Sequence, residues 1–160
     1  MKMKSKRILG LAAAVVIVEL IGSIGTFFTL PAIGTWYATL AKPAFTPPNW
    51  IIGPAWTILF ALMGIAAYLV WEKGVRKRLV REALGVFGTQ LELNVLWPIA
   101  FFGLRSPLLG LVDISFLLLA ILLTIWLFYK ARKEAAYLLL PYLIWVAFAT
   151  LLNLSVWMLN

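Results

Sequence analysis

The side chains best suited to recognising a small molecule recur at helical intervals in two apolar stretches. Gln90, Asn94 and Trp97 follow an i, i+4, i+7 spacing, which places two carboxamides and an indole on one helix face. Tyr142, Trp145, Ala149 and Asn153 share one face of a second stretch in the same way. Turned toward a common interior, they would frame a mostly apolar pocket with a few orienting hydrogen-bond groups, the usual make-up of a small-molecule site. Asn94 and Asn153 have an alternative use as interhelical hydrogen-bonding groups, contributing of order 1 kcal/mol each inside a membrane. The chain contains neither His nor Cys. It therefore offers no thiolate, no Ser-His-Asp or Cys-His arrangement and no metal-ligand cluster, and it shows no Gly-rich phosphate loop. Stacking and hydrogen bonding are the chemistry that remains.

Between Trp36 and Trp56 the chain is crowded with tryptophan and proline: Trp36, Tyr37, Pro43, Pro47, Pro48, Trp50, Pro54 and Trp56. Prolines fix φ and lower the entropy lost when a loop orders. Indole rings with one polar N–H suit a membrane boundary or a planar ligand. A structured lid over residues 31–50 is the expectation.

Those groups need elements that can hold them at bilayer depth. With 64% hydrophobic residues and a mean hydropathy of +0.99, the chain has too little polar surface to coat a soluble globule. Five segments, about 8–30, 51–71, 83–104, 108–129 and 135–158, are each long enough to cross ~30 Å of hydrocarbon at ~1.5 Å per residue. They leave no room for a second domain, so 1–160 reads as one transmembrane domain, an all-α bundle of five spans. Barrel strands would appear as short alternating segments instead. The basic start followed by an apolar run has the look of a signal peptide, but that run exceeds twenty residues and lacks a convincing cleavage site, so a retained first helix is expected.

Charge sets the expected orientation. Twelve cations fall before the first span (Lys2, Lys4, Lys6, Arg7), between the second and third (Lys73, Arg76, Lys77, Arg78, Arg81) and between the fourth and fifth (Lys130, Arg132, Lys133). Only Lys42 and Arg105 lie in the alternate connections. The positive-inside rule then places the N-terminus inside and the C-terminus outside. The net charge of +8 reads as affinity for anionic lipid headgroups; cations scattered over three short loops do not make a nucleic-acid surface.

Two prolines and three acids interrupt the spans. Pro98 and Pro141 each remove a helix hydrogen bond and disturb the carbonyl four residues earlier, at Asn94 and Tyr137. Each kink either improves packing or bends a wall around a cavity. Glu19, Glu92 and Asp113 are costly at membrane depth. Glu92 lies about 200° around the helix from Gln90 and Asn94, at a helix or subunit contact. Asp113 lies about one turn inside its span, within expected reach of Arg105. No chain of acids and histidines reads as a proton relay.

The order of these residues resembles one family. Trp36-Tyr37 through Lys42-Pro43, Pro47-Pro48 and Trp50, Pro54-Ala55-Trp56, Met63-Gly64 and Val70-Trp71 are followed by Gln90-x-x-x-Asn94, Trp97-Pro98 and Phe101-Phe102-Gly103. Asp113 and then Pro141-Tyr142-x-x-Trp145-x-x-Phe148-Ala149-Thr150-x-x-Asn153 complete a pattern similar to the TspO/translocator protein family, the tryptophan-rich sensory proteins or peripheral-type benzodiazepine receptors. The likeness runs from Trp36 to Trp157. It implies five helices, commonly dimeric, around a pocket open toward the loop between the first two, with protoporphyrin-type tetrapyrroles and drug-like amides as ligands.

On this chain the resemblance carries the ligand role to Trp36, Tyr37, Trp50, Trp56, Asn94, Trp97, Trp145 and Ala149; the spacing argument adds Gln90, Tyr142 and Asn153. Without His or Cys the usual axial ligands of haem iron are missing, so a tetrapyrrole would be held by stacking, with no metal site and no cofactor required. The implied function is binding of protoporphyrin IX and related hydrophobic molecules for transport, sensing or stress regulation in a prokaryotic cell membrane. The alternative is an enzyme for light- and oxygen-dependent porphyrin degradation, which the resemblance would rest on Trp56 and Trp145. Chemistry of that kind would come from the excited porphyrin itself, with the protein positioning it. Sterol transport carries less weight, because the chain after Asn153 lacks the tyrosine and basic residue of the family's sterol motif.

Overall fold

The computed structural model describes residues 2–160; Met1 and the side chains at positions 2–4, with the Lys2 and Lys4 cations, lie outside the described residues. Those residues form helices and connecting turns, with no strand among them. The helices are α1 (Lys2–Ser23), α2 (Thr26–Ile33), α3 (Trp36–Thr39), α4 (Asn49–Trp71), α5 (Arg78–Pro98), α6 (Pro107–Ala131), α7 (Lys133–Leu138) and α8 (Leu140–Leu159), with a π-helical turn at Ile99–Gly103 between α5 and α6.

Three units are long and apolar enough to cross a bilayer: Asn49–Trp71, Pro107–Ala131 and Lys133–Leu159. Ser5–Ser23 and Thr26–Ile33 form a fourth as a pair bent by 43°. The first span is therefore broken, where a single run over 8–30 is expected from sequence, and α2 takes up the beginning of the expected lid. The α5 helix, bearing Arg78, Arg81, Glu82 and Glu92, does not reach the same apolarity. Its polar residues Gln90 and Asn94 are buried, whereas Glu92 is exposed on this chain.

Packing places α1 along α4, α5 along α6, and α6 against α7 and α8. The first contact depends on Gly64, because a Cβ there would come within 2.6 Å of the Val15 Cα. Met63, Ala66, Val70, Ala83, Ile121, Phe128 and Ala135 have no exposed surface, and Phe87 stacks on Phe128 at 5.7 Å. Apolar residues such as Phe116, Leu119, Leu123 and Trp126 on α6 face outward. An apolar exterior around buried amides is the arrangement a lipid solvent requires, since association there is driven by packing and interhelical hydrogen bonds.

Each proline has a different outcome. The chain widens into the π-turn just after Pro98, with Leu104 N–H donating to the Ile99 carbonyl at 2.8 Å, and this buries the consecutive Phe101 and Phe102 together. Pro141 sits at the first turn of α8 rather than inside one continuous helix, a position proline tolerates. The break falls at Leu139, whose N–H reaches the carbonyls of Ala136 and Tyr137, so the carbonyl expected to be disturbed is satisfied. Ser106 caps α6 by accepting from the Leu109 N–H at 3.2 Å, with Pro107 following it.

One end of the bundle is closed by charge. Arg7 holds Glu72 through Nε–Oε1 at 2.7 Å and Nη2–Oε2 at 3.1 Å, while Tyr68 donates to the same carboxylate at 3.1 Å and Arg132 approaches at 3.4 Å. The Arg7 guanidinium holds the Glu72 carboxyl well below its ordinary range, at about 2. This cluster joins the start of α1, the end of α4 and the junction of α6 with α7, so three basic segments share one end.

Candidate functional site

A cavity of about 530 Å³ lies at the opposite half of the bundle, between the bent α1–α2 pair, the first turns of α4, the end of α5 and the middle of α8. Trp50, Trp56, Trp97 and Trp145 line it, together with Tyr37, Asn94, Ala149 and Asn153. Trp50, at the start of α4, is 75% exposed and stands at the mouth. Deeper in, Trp56 stacks on Phe60 at 5.3 Å and meets the edge of Tyr142 at 6.2 Å.

The two asparagines do both things the spacing allows. Asn153 accepts from Trp97 Nε1 at 3.0 Å and donates to the Pro107 carbonyl at 2.8 Å, tying α5, α6 and α8 together. Asn94 donates to the Tyr142 hydroxyl at 2.9 Å, and that hydroxyl donates to Gln90 Oε1 at 2.8 Å. Both asparagines also line the cavity. Asn94 Oδ1 makes no hydrogen bond among the described residues, which leaves an acceptor on the cavity wall.

Three of the expected ligand-facing residues lie behind that wall. Gln90 and Tyr142 are 1% exposed and belong to the supporting network beneath the cavity. The spacing puts them on the correct helix faces, but each helix turn toward the closed end carries its side chain deeper into the packed core. Trp36 packs edge-on against Phe101 at 5.6 Å and does not line the space, whereas its neighbour Tyr37 does. The one-turn helix α3 separates the two, since adjacent residues on a helix point about 100° apart.

The cover combines helix and extended chain. After α3, Pro43 and Thr46 form a turn in which the Thr46 N–H and hydroxyl both donate to the Pro43 carbonyl, at 3.1 and 2.7 Å. Phe45 meets Phe148 of α8 at 6.1 Å. Asn160 clasps the Ala41 backbone, accepting from its N–H and donating to its carbonyl, both at 3.0 Å. Lys42 lies over the Tyr37 ring at 4.7 Å.

The acids depart from expectation. Arg105 occupies a left-handed turn (φ 52°), is exposed, and forms no ion pair with Asp113 among the described residues. Arg105 belongs to the turn that precedes the Ser106 cap, outside the helix that carries Asp113. Asp113 Oδ2 and Gln90 Nε2 are buried without a hydrogen-bond partner. Glu19, which the sequence marks only as costly at membrane depth, lines the cavity together with Ser23 and Thr26. Glu72 is legible only in part: the Tyr68, Glu72 spacing of four is visible, but the Arg7 that completes the cluster is sixty-five residues away.

Residues 14–158 match the model of the TspO/MBR family. The chain is 51% identical over 153 residues to the Tryptophan-rich protein TspO of Archaeoglobus fulgidus, covering 96% of this chain and 98% of the relative. It is 44% identical to the Translocator protein of Homo sapiens over 76% of this chain and 73% of that one. To the Tryptophan-rich sensory protein of Cereibacter sphaeroides it is 36% identical, over 78% and 77% respectively. A membrane-type helical chain with tryptophans gathered at one cavity, matched across nearly its full length, belongs to the TspO/MBR family.

Proposed function

We propose that the chain crosses a prokaryotic cell membrane five times, with its basic end inside, and binds planar tetrapyrroles of the protoporphyrin IX type and related hydrophobic ligands for transport, sensing or stress regulation. The observation that carries this reading is the cavity of about 530 Å³, in the size range of small-molecule sites, whose wall combines four indoles with two carboxamides. Indole faces stack on a macrocycle, and Asn94 Oδ1 supplies a directional contact. The names of the relatives, a translocator and a sensory protein, point to the same class of role. The fifth crossing is α5: its charged residues Arg78, Arg81 and Glu82 cluster at one end, and within the helix Gln90 and Asn94 are buried, as polar groups in a membrane bundle face inward. The lipid-facing sides leave room for a homodimer.

A photo-oxidative degradation of bound porphyrin is the second reading, favoured by Trp56 and Trp145 lining one cavity. A single titration separates the two. Protoporphyrin IX should quench tryptophan fluorescence in the dark, with Asn94→Ala weakening the binding. Illumination that yields a new product in wild type, and does so more slowly in Trp145→Phe, establishes degradation; bleaching at the rate seen in detergent alone establishes binding without it. Absence of dark quenching would end both readings.

A further inference from the structure

Among the described residues, Glu19 is the one carboxylic acid on the cavity wall. Its Oε1 is shielded and has no hydrogen-bond partner among the described residues. The ion pairs of those residues all lie elsewhere, on Glu72, Glu82 and Glu134. Nearby hydroxyls do not serve it either, since Ser23 donates to the Leu20 carbonyl at 2.7 Å and Thr29 to the Gly25 carbonyl at 3.0 Å.

The aromatic wall comes close to the same place. One helix turn on from Glu19, the Phe60 ring sits so close to Gly22 that a Cβ there would collide with it. Trp56 stacks on that ring. The Glu19 carboxyl and the stacked Trp56 and Phe60 rings thus border one part of a mostly apolar space, on the α1 side, while the Asn94 and Asn153 carboxamides come from α5 and α8. A carboxyl keeps an acceptor oxygen in either protonation state, and aromatic faces attract positive charge. Both features favour a proton carried on nitrogen, and both disfavour an anionic group.

We propose that Glu19 makes the α1 wall of this cavity a receptor for an N–H donor, so that the preferred ligands are planar or aromatic molecules presenting a nitrogen-bound proton there. The inference rests on the cavity being a ligand site but not on that ligand being a tetrapyrrole. Two sources share the chemistry: a neutral N–H at the edge of an aromatic heterocycle and the ammonium of a lipophilic aromatic amine.

The test compares pyrenylmethylamine with methylpyrene, which differ by the donor, binding to protein in zwitterionic nanodiscs and read by tryptophan-to-pyrene energy transfer. Wild type should prefer the amine by about tenfold or more, the usual effect of a hydrogen bond to a charged group. Glu19→Leu should bring the two probes within about twofold of each other, with circular dichroism showing that the variant is folded. Glu19→Gln, which retains an acceptor, should keep part of the preference. A preference that survives in Glu19→Leu, or no preference in wild type, would overturn the proposal. Carbazole and fluorene, which differ by a neutral edge N–H, identify the source in the same proteins: a preference for carbazole that is lost in Glu19→Leu assigns the donor to the neutral N–H as well, and no preference assigns it to ammonium. Wild type that discriminates the pyrenes yet fails to bind protoporphyrin IX supports this proposal while removing the tetrapyrrole reading.

Discussion

The Asn94 amide donates to the Tyr142 hydroxyl at 2.9 Å, across the interface between α5 and α8. Because the hydroxyl passes its own proton to Gln90, it fixes which end of the Asn94 carboxamide is spent on the protein and which is left for the cavity. A residue outside the cavity therefore sets the polarity of one inside it.

Tyr142→Phe removes that hub and leaves two buried amides without their partner. Thermal unfolding in detergent should show a loss of about 1–2 kcal/mol. Protoporphyrin IX affinity should fall as well, since Asn94 is then free to turn its amide. A variant with lowered stability and unchanged affinity would show that the network is structural only.

Asn160→Ala releases the Ala41 backbone from α8. These are exposed hydrogen bonds, so their loss should cost only about 1 kcal/mol. The effect should appear in stopped-flow quenching as ligand association and dissociation both faster by about threefold or more, with little change in affinity. Rates equal to wild type would mean that the cover does not control access.

Glu72 gives the fold an acid limit. Its carboxyl is held at about 2 by Arg7, below the ordinary carboxylate value of about 4.5. A group depressed on folding stabilises the protein above its unfolded pKa, and that contribution is lost as pH falls through the folded one. Stability should therefore decline as pH drops from about 4.5 toward 2. Glu72→Gln should be less stable at neutral pH and lose less across that window. An unchanged acid limb in the variant, followed by circular dichroism, would place the sensitivity elsewhere.

Much of this architecture is legible in the sequence where the signal is local. Hydropathy marks five segments, of which four fall on units long and apolar enough to cross a bilayer, and helical spacing groups Asn94 with Trp97 and Trp145 with Ala149 and Asn153, all of which line the cavity. Depth is not legible: Gln90 and Tyr142 share those faces but lie beneath the cavity, because position along a helix axis relative to its neighbours depends on packing. The break between Ser23 and Thr26 escapes a hydropathy reading because both sides of it are apolar. Glu19 and Glu72 take much of their surroundings from residues distant in the chain, so sequence shows that Glu19 is costly at membrane depth but not whom either acid meets.

The most direct test of the central claim is to fill the cavity from within. Ala149 lines it, so Ala149→Leu should obstruct ligand while adding only apolar volume; Trp126→Phe, on the outward face of α6, serves as the control. Dark titration with protoporphyrin IX should show affinity reduced about tenfold or more in Ala149→Leu, the scale of an overpacked site costing about 1–3 kcal/mol, and unchanged in Trp126→Phe. Wild-type affinity in Ala149→Leu, with weakened binding in Trp126→Phe, would place the porphyrin on the lipid-facing surface and contradict the account.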